Sequence, residues 1–381
     1  MIIAVNTREL INNCQEGYGN FIAETFKRIV RNHPEHEFVF IFDRPFDKQF
    51  LFAPNVRAVV TGPAARHPLL WKYWYDFKIP AILKKYKAAV FVSCDGFCSL
   101  RTKVPQCLVI HDLAFLHYPS LIKKAPLFFY KKYMPEFINK ASSVATVSEY
   151  SKNDILNNYK AGADKIKVVY SAAKDIFHPL TDTQKIATKN KYTDGKEYFV
   201  YTGDIHPRKN LVTLLKAFSV FKKMQKTNMK LVFTGRLARK YESFVYSLKS
   251  YKYRHDVVMT GYVEETEMVS IIGAAYGLIY PSLYEGFGVP VIEAMKCNVP
   301  VITSSGTSMQ EIAKEAALYA DAGSYSAIAD KMMLLYKDEN LIKELVQKGE
   351  KISSQYSWDT TAELLWQSIL SAVPEDKQAV G

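Results

Sequence analysis

The sequence contains no long apolar run. Nowhere in its 381 residues does a window approach the roughly 18 uninterrupted apolar residues of a membrane-spanning helix. The start, from Met1 to Arg8, has no basic leader followed by an apolar stretch, and we interpret it as a first strand rather than a secretion signal. These features predict a cytoplasmic protein without a transmembrane segment.

Cysteine is scarce and scattered. The five cysteines are odd in number, and Cys94 and Cys98 have no second Cys or His pair at the spacing of a zinc site. A disulfide framework is therefore not indicated. We expect reduced thiols with a structural role, as in cytoplasmic proteins.

Several motifs of phosphate and hydrolytic chemistry are also missing. The chain has no Asp-x-Asp, so a carboxylate pair that chelates a nucleotide-bound divalent metal is not evident. It has no Walker A sequence, no Gly-x-Ser-x-Gly elbow and no His-Glu-x-x-His. If the protein stabilises a leaving diphosphate, it must do so with Arg, Lys and helix N-termini, without a metal.

Positive charge is concentrated in the N-terminal half. The net charge is +12, and residues 51–150 carry 14 Lys and Arg against 5 Asp and Glu, whereas residues 201–381 carry 21 against 20. Aromatic residues are interspersed with the basic ones in residues 66–87 and 121–133. This pattern is compatible with an ordinary solvated face, or with a face that meets anionic lipid headgroups or an acidic acceptor. No nucleic-acid-binding module accompanies the charge, so nucleic acid is not an expected partner.

Apolar runs alternate with amphipathic ones along the chain, which predicts an α/β protein. A chain longer than about 250–300 residues generally divides into domains. Alternating β and α segments indicate parallel sheets covered on both faces, and two series of them indicate two Rossmann-like domains separated within the polar stretch 179–196. The predicted strands are Ile2–Asn6, Phe38–Phe42, Ala89–Ser93, Gln106–Ile110, Ser143–Val147 and Lys167–Tyr170, then Tyr198–Thr202, Lys230–Thr234, Val257–Thr260, Gly277–Tyr280 and Val299–Thr303.

The segment 284–293, with sequence YEGFGVPVIE, carries most information. It places Glu285 and Glu293 eight residues apart, with two glycines and a proline between them. A predicted strand precedes it and a short helix follows, with Pro290 in the first turn, where its missing N–H costs nothing. The N–H groups at such a helix N-terminus attract phosphate.

Three further loops follow predicted strands in the C-terminal half. Arg208 and Lys209 come after Gly203 and immediately before an amphipathic helix, where both cations could neutralise phosphate oxygens. Gly235-Arg236 and Gly261-Tyr262-Val263 end the next two strands. Glycines there let the backbone approach a ligand but also form ordinary turns, so these two signals are weak alone.

Two candidates lie in the N-terminal half. His111-Asp112 ends the strand Gln106–Ile110, at the edge of the sheet where doubly wound folds bind ligands. Gly17 and Gly19 form a glycine loop before a helix from Phe21 to Arg31, and without a third glycine this is a weak nucleotide fingerprint. A loop that approaches a phosphate or a sugar fits it as well.

Together these residues resemble the retaining glycosyltransferases of family 4. The resemblance rests on Glu285-x7-Glu293 within EGFGVPVIEAM and on the pair Arg208-Lys209. It extends along most of the chain through three shorter segments: 261–263, 109–112 and 146–151. Where many relatives have Asn-Gly after the strand Lys167–Tyr170 the chain has Ser171-Ala172, and Asn298 stands where Gly is common.

The resemblance implies the GT-B fold, in which two Rossmann-like domains have parallel sheets facing a central cleft. The implied domains are an acceptor-binding domain at 1–180, a nucleotide-sugar-binding domain at 181–358 and a C-terminal helix at 359–381 that crosses back to the first domain. The implied co-substrate is a UDP- or GDP-linked sugar, with no cofactor and no metal.

The resemblance also implies a role for each matching residue. Arg208 and Lys209 would bind the diphosphate, and His111 would contact the transferred sugar. Glu285 would bind donor sugar hydroxyls and Glu293 the ribose hydroxyls. The catalytic set would be His111, Glu285, Arg208 and Lys209, and the remaining donor contacts would come from Gly17, Gly19, Gly203, Gly235, Arg236, Tyr262, Val263, Gly286, Phe287, Gly288 and Val289.

The expected function is retaining transfer of a hexose to a saccharide or lipid-linked saccharide acceptor, in polysaccharide or lipopolysaccharide biosynthesis. No carboxylate is clearly placed as a nucleophile, so metal-independent same-face substitution is favoured. The alternatives are a non-catalytic sugar-nucleotide-binding partner and a GT-B epimerase or phosphorylase. The basic aromatic segments suggest a peripheral contact with the anionic inner face of a membrane.

Overall fold

The chain forms two compact units in a computed structural model that describes residues 1–11, 17–238 and 240–374. The first unit comprises Met1–Ser171 together with the C-terminal segment from Trp358, and the second comprises Ala172–Ser357. Each unit is an open parallel sheet with helices packed on it, which agrees with the predicted α/β class.

The sheet of the first unit has seven strands in the order β3-β2-β1-β4-β5-β6-β7, all parallel. Residues of β1, β4, β5 and β6 are almost entirely buried, as expected for strands covered on both faces. The strands are β1 (Ile2–Asn6), β2 (Glu37–Phe42), β3 (Val56–Val60), β4 (Val90–Ser93), β5 (Gln106–Ile110), β6 (Ser143–Thr146) and β7 (Ile166–Val168).

The sheet of the second unit has six parallel strands in the order β10-β9-β8-β11-β12-β13. This is the strand order of dinucleotide-binding Rossmann folds. The strands are β8 (Tyr198–Thr202), β9 (Lys230–Thr234), β10 (Val257–Gly261), β11 (Gly277–Tyr280), β12 (Val301–Ser304) and β13 (Ala317–Ala320).

Helices connect the strands in both units. Those of the first unit are α1 (Gly17–Asn32), α2 (Pro68–Tyr73), α3 (Ile79–Lys85), α4 (Ala114–His117), α5 (Lys124–Lys140), α6 (Glu149–Asn158) and, after the second unit, α15 (Trp358–Ala372). The segment Trp74–Lys78 joins α2 to α3 as a π-helical stretch. Those of the second unit are α7 (Asp182–Thr193), α8 (Leu211–Gln225), α9 (Glu242–Lys249), α10 (Glu265–Gly273), α11 (Val289–Lys296), α12 (Ser308–Ala313), α13 (Tyr325–Lys337) and α14 (Glu339–Ser353).

The sequence analysis did not predict two of the strands, β3 and β13. Strand β3 lies at one edge of its sheet and is only partly buried, so its apolar pattern is broken by Arg57. Strand β13 lies at an edge of the other sheet and contains only four residues, two of them alanine. Edge position removes the need for a continuous apolar run, which is the signal that revealed the central strands.

The boundary between the units falls at Ser171–Ala172, whereas the sequence suggested residues 180 and 181. Leu180 explains the difference, because its side chain is buried and lies within 2.7 Å of where a Cβ on Gly273 of α10 would be. Helix α15 belongs to the first unit, where Ser368 Oγ lies 2.8 Å from Ser143 Oγ and Thr361 Oγ1 donates to the carbonyl of Tyr170 at 2.6 Å.

Four of the five cysteines lie in the described part of the chain, and all four are buried and free of disulfides. Burial raises the pKa of the Cys107 thiol to about 11 and that of Cys297 to about 12, so both are protonated thiols at neutral pH. This agrees with the structural role expected of them. In the described residues no helix has both the length and the apolar character that a membrane crossing requires.

Strand order identifies one ligand-binding edge in each sheet. The direction in which successive strands are added to the sheet reverses between β1 and β4 in the first unit and between β8 and β11 in the second, while all strands stay parallel. In open α/β sheets, ligands bind outside the carboxyl ends of the strands at this point of reversal. The loops after these four strands are therefore where a site is expected.

Candidate functional site

The loops that follow β8 and β11 are joined by hydrogen bonds. Leu283 N donates to the carbonyl of Arg208 at 2.9 Å, and Asn210 Nδ2 donates to the carbonyl of Pro281 at 3.2 Å. Arg208 and Lys209 sit in a single 3₁₀ turn, Pro207–Lys209, which Asn210 ends in the left-handed conformation before α8 begins. The Arg-Lys pair and the Glu285 loop, 76 residues apart in sequence, thus meet at one sheet edge.

The charged heads of these residues form a compact cluster. Lys209 Nζ lies 2.5 Å from Glu285 Oε1, and Arg208 Nη1 lies 3.0 Å from Glu285 Oε2. Arg208 Nη1 also donates to the carbonyl of Tyr284. Two cations share one carboxylate, so the cluster has one surplus positive charge.

Neighbouring hydroxyl groups complete the surroundings of Glu285. Ser282 Oγ donates to Glu285 Oε1 at 2.5 Å, and the hydroxyl of Tyr280 donates to the same oxygen at 3.2 Å. Lys209 Nζ in turn donates to the Tyr280 hydroxyl at 2.7 Å. Ser308 Oγ holds the loop by donating to the backbone carbonyl of Glu285 at 2.7 Å.

These contacts fix the charge of Glu285. Burial by itself raises the pKa of the Glu285 carboxyl, but the nearby Arg208 and Lys209 reverse that effect and bring the pKa to about 2. Burial lowers the pKa of Lys209, and its contact with Glu285 opposes that shift. Glu285 is consequently a fixed carboxylate throughout the physiological pH range.

Glycines allow the strand ends beside this cluster to approach one another closely. Gly203 follows β8, Gly235 follows β9, and Gly261 ends β10. Gly235 has φ +138°, and a Cβ on it would lie 2.1 Å from the carbonyl oxygen of Gly203. Gly235 N donates to the carbonyl of Gly261 at 2.9 Å, so the three predicted glycines form one continuous backbone edge.

The side chains that follow these glycines are open to solvent. Arg236 Nε lies 3.4 Å from Asp204 Oδ1, and both side chains are exposed. Tyr262 is exposed and Val263 partly so. The structure thus places the exposed Arg236 and Tyr262 and the partly exposed Val263 at the same edge as the charged cluster.

Helix α11 begins at this edge. It starts at Val289, with Pro290 in its first turn as predicted and Gly288 as its N-terminal cap at φ +98°. Phe287 is buried against Tyr356, with ring centroids 5.6 Å apart. The N-terminus of α11 adds a partial positive charge close to that of the cluster. Asn298, which follows the helix at the position where relatives commonly have Gly, has the left-handed conformation that favours glycine, at φ +57°.

Glu293 lies one turn inside α11 and differs from Glu285 in charge. It is partly buried, and no hydrogen bond or ion pair of its carboxylate is recorded within residues 17–238 and 240–374. Burial raises the pKa of Glu293 to about 7, with a further upward contribution from Glu265 and a downward one from Lys174. Lys174 itself pairs with Glu265. Near neutral pH, Glu293 is therefore present in both protonation states.

The corresponding edge of the first unit contains a cavity of about 290 Å³. It lies after β1, β4 and β5, at the point of strand reversal. Aromatic residues form part of its wall, where the ring of Trp71 stacks on that of Phe97 at 5.3 Å and on that of Tyr130 at 5.9 Å between centroids. Polar residues line the cavity as well: Arg8, whose guanidinium lies 5.5 Å from the Phe97 ring centroid, and Glu9, Asp95, His111 and Asp112.

Sequence reasoning missed the ion pair at the base of this cavity. Arg8 Nε lies 2.5 Å from Asp95 Oδ2, and both side chains are buried. Asn6 Nδ2 donates to the same carboxylate at 2.8 Å, and the Tyr75 hydroxyl donates to it at 2.7 Å. Arg8 and Asp95 each lie two residues after the end of a strand, β1 and β4, so their positions could have marked them as candidates, but their pairing depends on the order of strands in the sheet.

His111 lines the same cavity. Its Nε2 lies 3.0 Å from the carbonyl oxygen of Cys94, which can only accept, so Nε2 carries the proton. Burial lowers the pKa of His111 to about 4, and Tyr18 and Phe21 pack against the ring at 4.7 and 4.9 Å between centroids. The neutral ring leaves Nδ1 as a hydrogen-bond acceptor. Asp112 Oδ1 accepts from the backbone N–H of Ala114, the first residue of α4, at 2.9 Å.

The prediction of a glycine loop at Gly17 and Gly19 was wrong, because both residues lie inside α1. A Cβ on Gly19 would lie 2.5 Å from the backbone carbonyl oxygen of Glu9. Glycine at this position lets the helix pack closely on the segment after β1. The part of that expected loop at residues 12–16 is outside the described residues.

Two protein-family models match the chain, one in each unit. The model described as Glycosyltransferase Family 4 matches residues 17–173, and the model described as Glycosyl transferases group 1 matches residues 182–352. The chain belongs to glycosyltransferase family 4. Each unit of this family 4 chain corresponds to one model, in agreement with the resemblance seen in the sequence.

The similar curated proteins include three named mannosyltransferases. O-antigen chain mannosyltransferase B of Escherichia coli is 29% identical over 252 residues, covering 65% of this chain and 66% of that protein. RfbU, the O-antigen chain mannosyltransferase of Salmonella typhimurium, is 27% identical over 279 residues, covering 70% and 71%. Serotype-specific mannosyltransferase WbdA of Escherichia coli is 27% identical over 271 residues, but these span only 32% of its length.

Solved structures confirm the GT-B fold of this family 4 chain. WaaG, a glycosyltransferase involved in lipopolysaccharide biosynthesis, has a TM-score of 0.76 at 12% identity, covering 97% of this chain and 99% of WaaG. Anabaena Alr3699/HepE, solved in complex with UDP and glucose, has a TM-score of 0.75 at 14% identity, covering 97% and 100%.

Proposed function

We propose that this protein is a retaining glycosyltransferase that moves a hexose from a nucleotide-diphospho-sugar to a saccharide or lipid-linked saccharide acceptor. The family and the fold support the general activity, and the named mannosyltransferase relatives make mannose the first sugar to test. The O-antigen relatives and the fold similarity to WaaG favour an acceptor of the lipopolysaccharide or polysaccharide type.

The observation that carries the proposal is the cluster of Arg208, Lys209 and Glu285. It has surplus positive charge at the point of strand reversal, beside the N-terminus of α11. A diphosphate brings negative charge that Arg, Lys and helix N–H groups stabilise best when they are already in position. The cluster would hold the leaving diphosphate without a metal, and Glu293 would accept hydrogen bonds from ribose hydroxyls.

The surroundings of Glu285 favour same-face substitution over a covalent intermediate. A carboxylate nucleophile needs a free oxygen, but Oε1 accepts from Lys209, Ser282 and Tyr280, and Oε2 is paired with Arg208. We infer that Glu285 positions the donor through a sugar hydroxyl and keeps the two cations in place. The departing phosphate then accepts the acceptor's proton as the new glycosidic bond forms on the same face.

The cavity of the first unit suits the saccharide part of the reaction. The partly exposed Trp71 and Tyr130 would offer apolar ring surface to the C–H face of a sugar ring, and the charged residues that line the cavity would offer partners to hydroxyl groups. Nδ1 of the neutral His111 would accept a hydrogen bond from the transferred sugar.

Thermal-shift measurements with a panel of nucleotide sugars test the donor. A bound donor stabilises the folded protein by mass action, by about 2.7 kcal/mol at a hundredfold excess over Kd. We expect stabilisation by UDP- or GDP-linked sugars, with GDP-mannose tested first, and a smaller effect from monophosphates. No shift with any nucleoside diphosphate would overturn the proposal.

Slow hydrolysis of the preferred donor without an acceptor tests the chemistry. NMR of the sugar released before mutarotation should show the donor's anomeric configuration, and inversion would refute the retaining mechanism. Hydrolysis and transfer should persist in chelator, and a strict loss of both would refute metal independence. A protein that binds the donor but never cleaves it would be a non-catalytic binder, and one that returns an altered sugar nucleotide would be an epimerase.

A further inference from the structure

One face of the first unit exposes large apolar side chains in a regular row. Leu69, Tyr73 and Phe77 are 75%, 41% and 48% exposed, and their spacing of four residues places them on one side of the helix that runs from α2 into α3. Tyr73 and Phe77 stack with ring centroids 5.6 Å apart. The opposite side of this helix is buried through Trp74 and Tyr75. A helix that is apolar on both sides has more apolar surface than its own fold uses.

Helix α5 extends this face. Phe128 is 67% exposed, and Lys132 Nζ lies 5.8 Å from its ring centroid. Lys132 Nζ is also 5.2 Å from the ring of Tyr133, and Lys72 Nζ of α2 is 4.7 Å from that same ring. Lysines of both helices thus meet over Tyr133. We call the surface formed by Leu69, Tyr73, Phe77, Phe128, Lys131 and Lys132 the aromatic–lysine face.

The charge of this face is positive and largely uncompensated. Lys123, Lys124, Lys131 and Lys132 of α5 and its N-terminal flank are exposed, and the structure records no ion pair for them among residues 17–238. Residues 66–87 carry six Lys and Arg against the single acid Asp76, which is buried and paired with Lys72. Arg101 lies over the ring of Phe77 at 4.2 Å, adding another cation to the same side. Glu136 is the one acid of α5.

We propose that the aromatic–lysine face docks the protein on a membrane that contains anionic phospholipid. Lysines at its edge would meet lipid phosphates, while Leu69, Phe77 and Phe128 would enter the boundary between headgroups and acyl chains. The face therefore offers cations to the phosphate layer of the membrane and apolar side chains to the layer just beneath it. The proposal deepens the proposed function by naming where a lipid-linked acceptor would be met, and it rests on that function only for this purpose.

Co-sedimentation with vesicles tests the proposal without any substrate. The whole protein is incubated with vesicles of phosphatidylcholine alone, or of phosphatidylcholine and phosphatidylglycerol in equal amounts. We expect binding to the mixed vesicles at low salt, and strongly reduced binding at about 1 M salt, where the Debye length is only about 3 Å. No binding to the mixed vesicles at low salt, or equal binding to both kinds, would overturn the proposal.

Variants of the face locate the contact. Lys131→Glu with Lys132→Glu should lower the partition coefficient at least about tenfold, since each basic residue near an anionic surface adds comparably to the attraction. Leu69→Ser, Phe77→Ser and Phe128→Ser together should weaken the binding that remains at high salt. Two matched control variants change exposed residues of the second unit and should leave the partition coefficient unchanged. The control for the lysines is Lys223→Glu with Lys249→Glu, and the control for the apolar residues is Ile186→Ser with Met224→Ser and Tyr246→Ser.

The outcomes separate this inference from the proposed function. If the face variants bind vesicles as well as the controls do, the docking surface is wrong, whatever the enzyme transfers. If the face variants lose vesicle binding but keep donor stabilisation and hydrolysis, docking is established independently of chemistry. Self-association of the unmodified protein through this face, abolished by the same variants without any vesicle binding, would instead identify an interface between copies.

Discussion

Lys209 Nζ contacts Glu285 Oε1 at 2.5 Å, across 76 residues of sequence. This contact joins the loop after β8 to the loop after β11, where Arg208 and Lys209 both pair with the carboxylate of Glu285. These contacts hold both cations in fixed positions, and positive groups that are already fixed stabilise developing negative charge with little reorganisation.

Removing either cation should impair transfer strongly. We expect Lys209→Ala or Arg208→Ala to lower turnover by about 10²–10³-fold, since each residue would stabilise charge on the leaving diphosphate. Loss of one cation also leaves the buried Glu285 carboxylate with a single cationic partner, so a fall of about 1–3 kcal/mol in the free energy of unfolding is expected. Steady-state kinetics and urea unfolding measure the two effects.

Lys216→Ala is the matched control for this experiment. Lys216 is exposed on α8, near Lys209 in sequence but without a recorded ion pair in the described residues. Its loss should change neither turnover nor stability. Near-normal transfer by both Lys209→Ala and Arg208→Ala would contradict the phosphate assignment.

Glu293 should make stability fall as pH rises. Its pKa is about 7 in the folded protein, against an ordinary value of 4.5 in the unfolded chain. The folded state therefore holds a proton that the unfolded state releases, and the stability from this group is lost between about pH 4.5 and pH 7. We expect Glu293→Gln to have little effect on Tm at about pH 5 and to raise Tm at about pH 8. An equal change in Tm at both pH values would contradict the assignment.

His111 should remain neutral through the physiological range. Its pKa is lowered to about 4, so folded protein stays uncharged at this ring while the unfolded chain gains a proton below its ordinary pKa of 6.5. Stability from His111 is thus present above about pH 6.5 and is lost as pH falls toward 4. NMR of the ring protons, assigned with His111→Gln, should show no titration between about pH 5.5 and pH 8. A titration near pH 6.5 would show that the His111 ring is not buried and would contradict the lowered pKa.

The close approach of the strand ends at Gly203 and Gly235 predicts that two Gly→Ala variants differ in stability. A Cβ at Gly235 would lie 2.1 Å from the Gly203 carbonyl oxygen, on a backbone with φ +138°, so Gly235→Ala requires the strand ends to separate. We expect a loss of more than about 2 kcal/mol in the free energy of unfolding. Gly162→Ala is the control, since nothing lies within 4 Å of its Cβ position. Equal stability of the two variants in denaturant titrations would refute the close approach.

Much of this arrangement follows from short stretches of sequence. The central strands are continuous apolar runs because both faces of a parallel sheet are buried, and their bounds were predicted to within about two residues. The edge strands β3 and β13 were missed, because an edge strand needs no such run. Gly17 and Gly19 were placed in a loop, because a glycine that permits helix packing has the same sequence pattern as one that permits a turn.

The sequence by itself determined the two-unit α/β architecture, the family and the loops that end strands β8, β11 and β5, since local periodicity and motif spacing are properties of short segments. Only the tertiary structure decided that Arg208, Lys209 and Glu285 share one ion-pair cluster, that Arg8 pairs with Asp95, and that Glu285 and Glu293 have pKa values on opposite sides of the ordinary one. Those properties depend on which strand ends become neighbours in the sheet and on how much water each carboxylate loses, and neither is encoded within a single segment.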